Sequence, residues 1–211
     1  MLLGEQDLAG RTISERIAVG LGLVPEDRQR DGLVQMMSVG KNMSLPSLLS
    51  WVKNTFIARK LEADKVEAQS KDVRVKAAGP NAPITSLSGG NQQKVVIGKM
   101  LLTDPKVLLL DEPTRGIDVG AKGEIFALLF REAQKGLAVL YVTSEVGEAL
   151  TASHRIVVMS KGRIVAQFDP RTCTRDEVMV ASGEHESEYS KGDDPLEPPH
   201  QHGHHGEGDQ Q

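Results

Sequence analysis

Apolar residues along the chain form short uninterrupted runs, separated by polar loops and by segments of helix length. Two of the runs, Val107–Leu110 and Leu137–Val142, have the length of strands and flank the segment 119–135, which closes at Gly136. A strand, a helix and a second strand in this order predict a right-handed crossover between parallel strands. Because both runs are apolar throughout, they are typical of a sheet that is covered on both faces. The pattern therefore predicts an α/β fold.

Upstream of this unit, the pattern predicts a strand followed by a helical region. The run Ile17–Pro25 is apolar, short and stopped by proline, as in a buried strand, and the polar loop 26–32 follows it. Residues 39–76 are predicted to be mostly helical, with an interruption at 50–54. The two prolines of the segment 78–83 then indicate a loop.

Downstream of the unit, the apolar runs 155–159 and 163–168 flank the turn Ser160–Gly162. This arrangement predicts an antiparallel hairpin. A short helix is predicted at 175–181. Together with the upstream elements, these predictions describe a domain that spans residues 1–183.

The final segment, 184–211, has a different composition. It carries eight acidic side chains against Lys191 alone, and five of the six histidines of the chain. With few apolar residues it cannot bury enough surface to offset the entropy of ordering, so we expect a disordered acidic appendix. Because such a segment fixes no coordination geometry, its histidines predict no metal site. The remaining 24 basic and 21 acidic side chains give no bias toward nucleic acid.

Composition also limits where the chain can function. No apolar run approaches the roughly 20 residues of a membrane-spanning helix, and the first ten residues lack the pattern of a signal peptide. The one cysteine, Cys173, excludes an internal disulfide. We therefore expect a chain that works in the cytoplasm.

The segment Leu87–Lys94, with the sequence LSGGNQQK, precedes an apolar helix that runs to about Leu102. Two glycines at a helix start let backbone N–H groups approach an anion, and the Ser88 hydroxyl adds a donor for a phosphate oxygen. Taken alone, this segment is better explained as an ordinary helix cap. Its neighbour in the sequence decides between the two interpretations.

That neighbour is the apolar strand 107–110, which ends in two adjacent carboxylates, Asp111 and Glu112. Open α/β sheets bind ligands at the carboxyl ends of their strands. An aspartate there is placed to hold Mg²⁺ through water, and a following glutamate can orient or deprotonate a water that attacks a γ-phosphate. A solvated strand end accounts for acidic residues, but not for this pair in register with Leu87–Lys94.

These residues resemble the ATP-binding-cassette (ABC) ATPases over about residues 8–170. The segment 87–93 is similar to the family signature, Asp111 and Glu112 to its second nucleotide motif, and Gly116–Asp118 to the loop that couples two such domains. A narrower resemblance links the chain to the second half of the duplicated ATPases of ribose-, xylose- and galactose-type sugar importers. It is carried by the segments 24–33, 87–94 and 111–122.

The resemblance implies an ABC-type P-loop NTPase fold, with a parallel sheet and a helical subdomain at about 40–105. It also implies ATP and Mg²⁺ as cofactors, a complete ABC ATPase half or homologous subunit and membrane permease subunits as partners, and a sugar-binding protein as an indirect one. The chain would then lie peripherally at the cytoplasmic face of the inner membrane. The implied roles are catalysis for Glu112 and Ser144, Mg²⁺ binding for Asp111, and nucleotide-site or coupling contacts for Glu26, Ser88, Gly89, Gly90, Gln92 and Asp118.

Three departures from the family pattern affect catalysis. Glu26 stands where most cassettes have a glutamine that senses Mg²⁺ and the permease, and Ser144 stands where most have a histidine that contacts the γ-phosphate. Loss of one such hydrogen-bond donor costs on the order of a hundredfold in rate. The sequence also contains no G-x-x-x-x-G-K-[ST] phosphate-binding loop, so we expect poor ATP binding by the chain alone.

The family places that loop upstream of Met1, with a central strand and a helix. We therefore also expect a sheet with an unpaired edge and an uncovered apolar face, and a poorly soluble chain. Arg115 and Lys122 are expected to be solvated loop cations. Two other functions remain open at this point: an inactive truncated fragment, and a soluble cassette protein of DNA repair or translation.

Overall fold

The computed structural model describes residues 2–53 and 55–183. The segment 184–211, for which we predict a disordered acidic appendix, lies outside the described residues. The chain divides into two compact units, Met1–Glu145 and Val146–Gln211. The first unit contains all of the predicted site residues.

The centre of the first unit is a parallel sheet of three strands. Strand β3 (Leu21–Val24) pairs with β6 (Val107–Asp111), which in turn pairs with β7 (Ala138–Val142). Helix α5 (Val119–Gln134) connects β6 to β7. The predicted α/β fold with a crossover between parallel strands is therefore confirmed.

The segment before β3 differs from its prediction. After a short hairpin, β1 (Leu2–Leu3) and β2 (Gln6–Asp7), the chain forms helix α1 (Ile13–Ala18). The predicted strand from Ile17 is thus wrong for its first four residues, and the strand begins at Leu21. A capping box explains the helix: the Thr12 side chain accepts from the Glu15 N–H, and the Glu15 carboxylate accepts from the Thr12 N–H.

The predicted helical region also contains an unpredicted hairpin. Helix α2 (Val39–Ser44) continues into a 3₁₀ helix (Leu45–Trp51), and helix α3 (Arg59–Asp72) ends the region. Between them, β4 (Val52–Lys53) and β5 (Phe56–Ile57) form an antiparallel pair. Strands of two residues are too short to give an alternating pattern, so the sequence showed only an interruption of the helix.

Helix α4 (Gly89–Leu101) organises the core of the first unit. Its residues Val95, Val96 and Ile97 are completely buried, as are Leu108 of β6 and Ile125 of α5. The helix thus packs between the sheet and the helical region. Its N-terminal residues are the predicted signature, so core packing fixes where that segment lies.

One face of the parallel sheet is exposed. Val24 and Leu108 are buried on the opposite face, whereas Leu23 is 54% exposed, Leu140 57% and Val142 52%. The prediction from strand composition that both faces are covered is therefore wrong, and the expectation of an uncovered apolar face is confirmed. Within the described residues β3 and β7 are the edges of this sheet.

The second unit contains helix α6 (Val146–Ala152), strands β8 (Ile156–Ser160) and β9 (Arg163–Phe168), and helix α7 (Arg175–Ser182). The two strands pair antiparallel, as predicted. Their turn, Lys161–Gly162, has positive φ at both residues, which is the conformation favoured in two-residue hairpins. In the parts of the chain that the structure describes, none of the helices is long and apolar enough to span a membrane.

Candidate functional site

The carboxyl ends of three parallel strands bring four of the predicted site residues to one edge of the sheet. Glu26 follows β3, Asp111 ends β6 with Glu112 next to it, and Ser144 follows β7. Because the three strands pair in parallel register, these ends lie side by side. This is the edge at which open α/β sheets bind ligands.

Glu112 has an unusual backbone conformation and a fixed carboxylate. Its φ is 42°, in the left-handed region that costs energy for a residue other than glycine. Its N–H donates to the Val142 carbonyl at 3.0 Å, and its Oε1 accepts from the Ser144 N–H at 2.6 Å. The contact between the two predicted catalytic residues is thus made by the backbone of Ser144.

Asp111, the predicted Mg²⁺ ligand, is exposed at the end of its strand. A carboxylate oxygen is the kind of ligand that Mg²⁺ prefers, so the residue fits this ion. Within residues 2–53 and 55–183, no group of three or more His, Cys, Asp or Glu side chains is close enough together to hold a metal.

Ser88 is the N-cap residue of α4, but its side chain makes no capping hydrogen bond to the helix. Instead, Ser88 Oγ accepts from the Asn91 side-chain amide at 3.0 Å, and Asn91 Oδ1 accepts from the Lys76 N–H at 2.8 Å. The alternative that this segment is an ordinary cap is therefore not supported by the hydrogen bonding. The first turn of α4 keeps the features of an anion-binding helix end.

The two signature glycines allow close approaches that larger residues would prevent. A Cβ atom on Gly89 would lie 2.7 Å from Arg28 Nη2, and one on Gly90 would lie 2.5 Å from Ala121 Cβ. Gly90 thus lets the start of α4 pack directly against the first turn of α5. Gly89 lets the guanidinium of Arg28 reach the signature.

Gln92, a predicted nucleotide contact, is placed inside the protein. Its side chain is 5% exposed, and its Nε2 donates to the Ile84 carbonyl at 3.3 Å. In this arrangement Gln92 fixes the helix start against the preceding 3₁₀ turn, Ile84–Ser86. The neighbouring Ser88 is exposed.

Asp118 begins α5. Its Oδ1 accepts from the Ala121 N–H at 2.9 Å, which makes it the N-cap of that helix. Gly116, two residues earlier, has a φ of 67° and turns the chain between β6 and α5. The segment that resembles the coupling loop is therefore held at the same helix start that contacts Gly90.

Arg115 is 70% exposed, as expected of a solvated loop cation, whereas Lys122 is only 21% exposed and the expectation is wrong for it. Arg115 forms an ion pair with Glu26, and Lys122 forms one with Glu145 at 2.7 Å. The Arg115 carbonyl also accepts from Arg28 Nη1 at 3.1 Å. Sequence reasoning missed Arg28, for which the only available signal was its position two residues after Glu26.

A cavity of about 330 Å³ lies at this junction of loops. Its lining combines acidic and basic side chains, so it is polar and open to solvent. The residues that line it are Glu26, Asp27, Arg28, Gln29 and Arg115.

Comparison with known proteins identifies the class to which this fold and site belong. The family model described as "ABC transporter" matches residues 2–115, which is more than half of the chain. The chain therefore belongs to the ABC transporter family of ATPase domains.

Its relatives include proteins of named function. The chain is 43% identical over 191 residues to "Xylose import ATP-binding protein XylG" of Pseudomonas syringae pv. tomato, a match that covers 90% of the chain and 36% of the relative. It is 41% identical over 182 residues to the protein of the same name in Brucella abortus, a match that covers 86% of the chain and 36% of that relative. The chain thus spans little more than a third of the length of these relatives.

Solved structures agree with the fold. The ATP-binding cassette MJ0796, in a dimeric post-hydrolysis state bound to ADP and Pi, has a TM-score of 0.62 at 24% identity and covers 76% of this chain and 66% of its own. CbiO1 of Clostridium perfringens, part of the ABC transporter complex cbiONQ, has a TM-score of 0.63 at 25% identity. That match covers 76% of this chain and 61% of CbiO1. At this level of identity the first match shows the fold alone.

Proposed function

We propose that the chain is the second ATP-binding half of an ABC importer for a pentose or a similar sugar. The observation that carries this proposal is the packing of the signature Ser88–Gly90 against the coupling loop, beside the strand ends that hold Glu26 and Glu112. Identity above 40% to xylose import proteins supports the substrate class.

In this proposal, the chain contributes the signature to an ATP whose phosphates a partner half holds. The exposed Ser88 and the N–H groups of Gly89 and Gly90 would contact the γ-phosphate, since an uncapped helix start favours an anion. The 211 residues contain no phosphate-binding loop, but a signature needs none of its own. Gln92 would support this contact from inside, and Asp118 would link the two ATP sites.

The strand ends supply the chemistry for the second ATP site. Asp111 would hold Mg²⁺, which neutralises phosphate charge when it is bound. Glu112 would orient the attacking water, provided that its carboxylate leaves the Ser144 N–H. Because Ser144 has no imidazole, we expect this site to hydrolyse ATP more slowly than its partner.

Glu26 would lie in the loop that senses the permease. Its ion pair with Arg115 connects this loop to the coupling loop. A permease that moves Glu26 would therefore act on both ATP sites. The proposed partners are a complete cassette half and permease subunits, with a sugar-binding protein acting through the permease at the cytoplasmic face of the inner membrane.

ATP hydrolysis by the purified chain, alone and mixed with a complete cassette, tests the proposal. A suitable partner is the separately expressed first half of the P. syringae relative. We expect little activity from the chain alone and a gain in the mixture. If the mixture binds and hydrolyses no more ATP than the partner does by itself, the proposal is wrong.

Two variants separate the roles of the signature and of Glu112. Ser88→Arg should abolish the gain, because its long cationic side chain fills the position of the phosphate. Thr85→Arg is the matched control, since Thr85 is exposed just upstream of the signature. Glu112→Gln should remove only the part of the gain in ATP hydrolysis that comes from the second ATP site.

The substrate class is tested by sugar uptake in the source organism. Deletion of the gene should reduce uptake of labelled xylose more than uptake of labelled ribose or galactose. If deletion lowers the uptake of none of the three sugars, a role in their import is excluded, even if the purified chain stimulates ATP hydrolysis.

A further inference from the structure

The turn Arg28–Gly32 connects three segments of the candidate site that are far apart in the sequence. Asp27 caps its N-terminal end, because Asp27 Oδ1 accepts from the N–H groups of Gln29 at 3.0 Å and of Arg30 at 3.1 Å. One residue, Asp27, separates the turn from Glu26. The turn therefore adjoins the loop that is expected to sense the permease.

Arg28 reaches from this turn to two other segments. Its Nη1 donates to the Arg115 carbonyl at 3.1 Å, at the start of the coupling loop. Its Nη2 lies 2.7 Å from the position that a Cβ atom on Gly89 would occupy, at the start of the signature helix. One guanidinium thus lies between the coupling loop and the signature.

The other end of the turn is attached to the same helix. Lys99, in the last turn of α4, donates from Nζ to the Gly32 carbonyl, and burial lowers the pKa of this lysine. A Cβ atom on Gly32 would lie 3.2 Å from Val96 Cγ2, so the turn packs closely on the helix. The turn is thereby fixed to α4 at both ends.

Arg115 closes the set of contacts. Its side chain pairs with Glu26, while its carbonyl accepts from Arg28. Glu26, Arg115 and Arg28 are therefore joined in series, and Arg28 lies beside Gly89. These contacts form a continuous path from the Glu26 loop to the signature.

We propose that Arg28 is a positioning residue that couples the Glu26 loop to the coupling loop and to the signature. A planar guanidinium suits this role because its donors point in fixed, separate directions, whereas a lysine offers one flexible ammonium. The effect of this coupling on ATP hydrolysis rests on the function proposed above. The positioning itself depends only on the contacts within the chain.

Hydrogen–deuterium exchange of the purified chain tests the positioning directly. In Arg28→Ala, the amides of residues 92–95 and of Arg115 and Ile117, which donate hydrogen bonds in the folded chain, should exchange at least about fivefold faster. The Arg115 carbonyl loses its hydrogen bond from Arg28, and the guanidinium no longer packs against the start of α4. Arg28→Lys should give an intermediate result and guards against a variant that fails to fold. Arg30→Ala is the matched control, because Arg30 lies in the same turn with its side chain 84% exposed.

The result that would overturn the positioning role is unchanged exchange at both segments in folded Arg28→Ala. Faster exchange at both segments in Arg30→Ala to the same degree would also overturn it. In that case the effect would come from loosening of the turn rather than from the guanidinium.

The kinetics of ATP hydrolysis in the mixture with a complete cassette distinguish the coupling role of Arg28 from a loss of structure. We expect Arg28→Ala to lower kcat about tenfold, with KM for ATP changed less than about twofold, because the partner's phosphate loop holds the nucleotide. Arg28→Lys should recover part of kcat, and Arg30→Ala should match the unmodified chain. Equal changes in kcat and KM would overturn the coupling role.

The two experiments separate this proposal from the proposed function. If the unmodified chain gives no gain in the mixture, the proposed function fails, and exchange still decides whether Arg28 positions the two segments. If the unmodified chain gives a gain and Arg28→Ala gives the same kcat, only the coupling role of Arg28 fails.

Discussion

The carboxylate of Glu112 accepts a hydrogen bond from the backbone N–H of Ser144 at 2.6 Å. The two residues follow neighbouring strands, and the backbone of Glu112 is left-handed, with a φ of 42°. This combination of backbone strain and a fixed carboxylate is common where a residue has a chemical role. The backbone strain at Glu112 can therefore be tested by measuring the stability of variants, without an assay of activity.

Replacing Glu112 by glycine or by alanine removes the same carboxylate but not the same strain. Glycine adopts positive φ without cost, so Glu112→Gly should unfold with a free energy about 1 kcal/mol higher than Glu112→Ala. Urea denaturation followed by circular dichroism measures the difference. Equal stability of the two variants would mean that the backbone relaxes once the hydrogen bond to Ser144 is lost.

Gly90 is expected to be intolerant of even one added methyl group. A Cβ atom there would lie 2.5 Å from Ala121 Cβ, and both atoms belong to closely packed helices. Gly90→Ala should therefore lower the free energy of unfolding by about 1–3 kcal/mol, the usual cost of overpacking. Thermal denaturation of the purified variant checks this value.

Gly123 is the matched control for that substitution. It is also a helical glycine, in α5, but nothing lies within 4 Å of an added Cβ atom. Because alanine is favoured over glycine in helices, Gly123→Ala should raise stability by about 0.5–1 kcal/mol. A loss of stability at both positions would contradict the argument from packing.

Lys94 forms an ion pair with Glu124 that joins helix α4 to helix α5. Lys94 is 3% exposed and also donates to the Arg74 carbonyl at 3.2 Å, so these partners replace the water that its ammonium group loses on burial. Glu124→Gln should lower the free energy of unfolding by about 1–2 kcal/mol, a value that allows for the half-exposed carboxylate. Glu67→Gln is the control, because its pair with Lys71 is exposed on both sides.

The same ion pair predicts a dependence on pH. The hydrogen bond from Lys94 lowers the pKa of Glu124 below 4.5 in the folded chain. Its contribution is therefore complete above about pH 4.5 and is lost as the pH falls through the lower folded value. The difference in stability between the unmodified chain and Glu124→Gln should shrink over that range, and a constant difference would contradict the assignment.

The elements that the sequence predicted well are those in which pattern and packing agree. The apolar run at 107–110, the helix that closes at Gly136 and the turn predicted at Ser160–Gly162 all carry strong local signals. The structure has each of them, although Ser160 still belongs to strand β8. The run at Ile17 misled because the capping box of Thr12 and Glu15 starts a helix that the apolar residues then continue.

The candidate site likewise contains some features that could be predicted from the sequence and others that could not. The sequence placed Asp111 and Glu112 at the carboxyl end of a strand, and the family resemblance pointed to Glu26 and Ser144. The contacts of Arg28 could not be predicted, because they join residues separated by about 60 to 90 positions, a separation at which local patterns carry no information. The burial of Gln92 likewise depends on the 3₁₀ turn that it contacts.

Asp169, in the second unit, offers a direct measurement of a shifted titration. The side-chain hydrogen bonds from Arg171, followed by the hydrogen bond from the Arg171 N–H, lower the pKa of Asp169 from 3.8 to about 2. Because the folded pKa is depressed, this carboxylate stabilises the fold fully above about pH 4, and the stabilisation is lost as the pH falls toward 2. NMR titration of the carboxyl carbon should give a midpoint near 2. In Arg171→Ala the side-chain donors are gone and the backbone N–H remains, so the midpoint should rise only part of the way to 3.8. An unchanged midpoint would mean that the guanidinium does not contact Asp169 in solution.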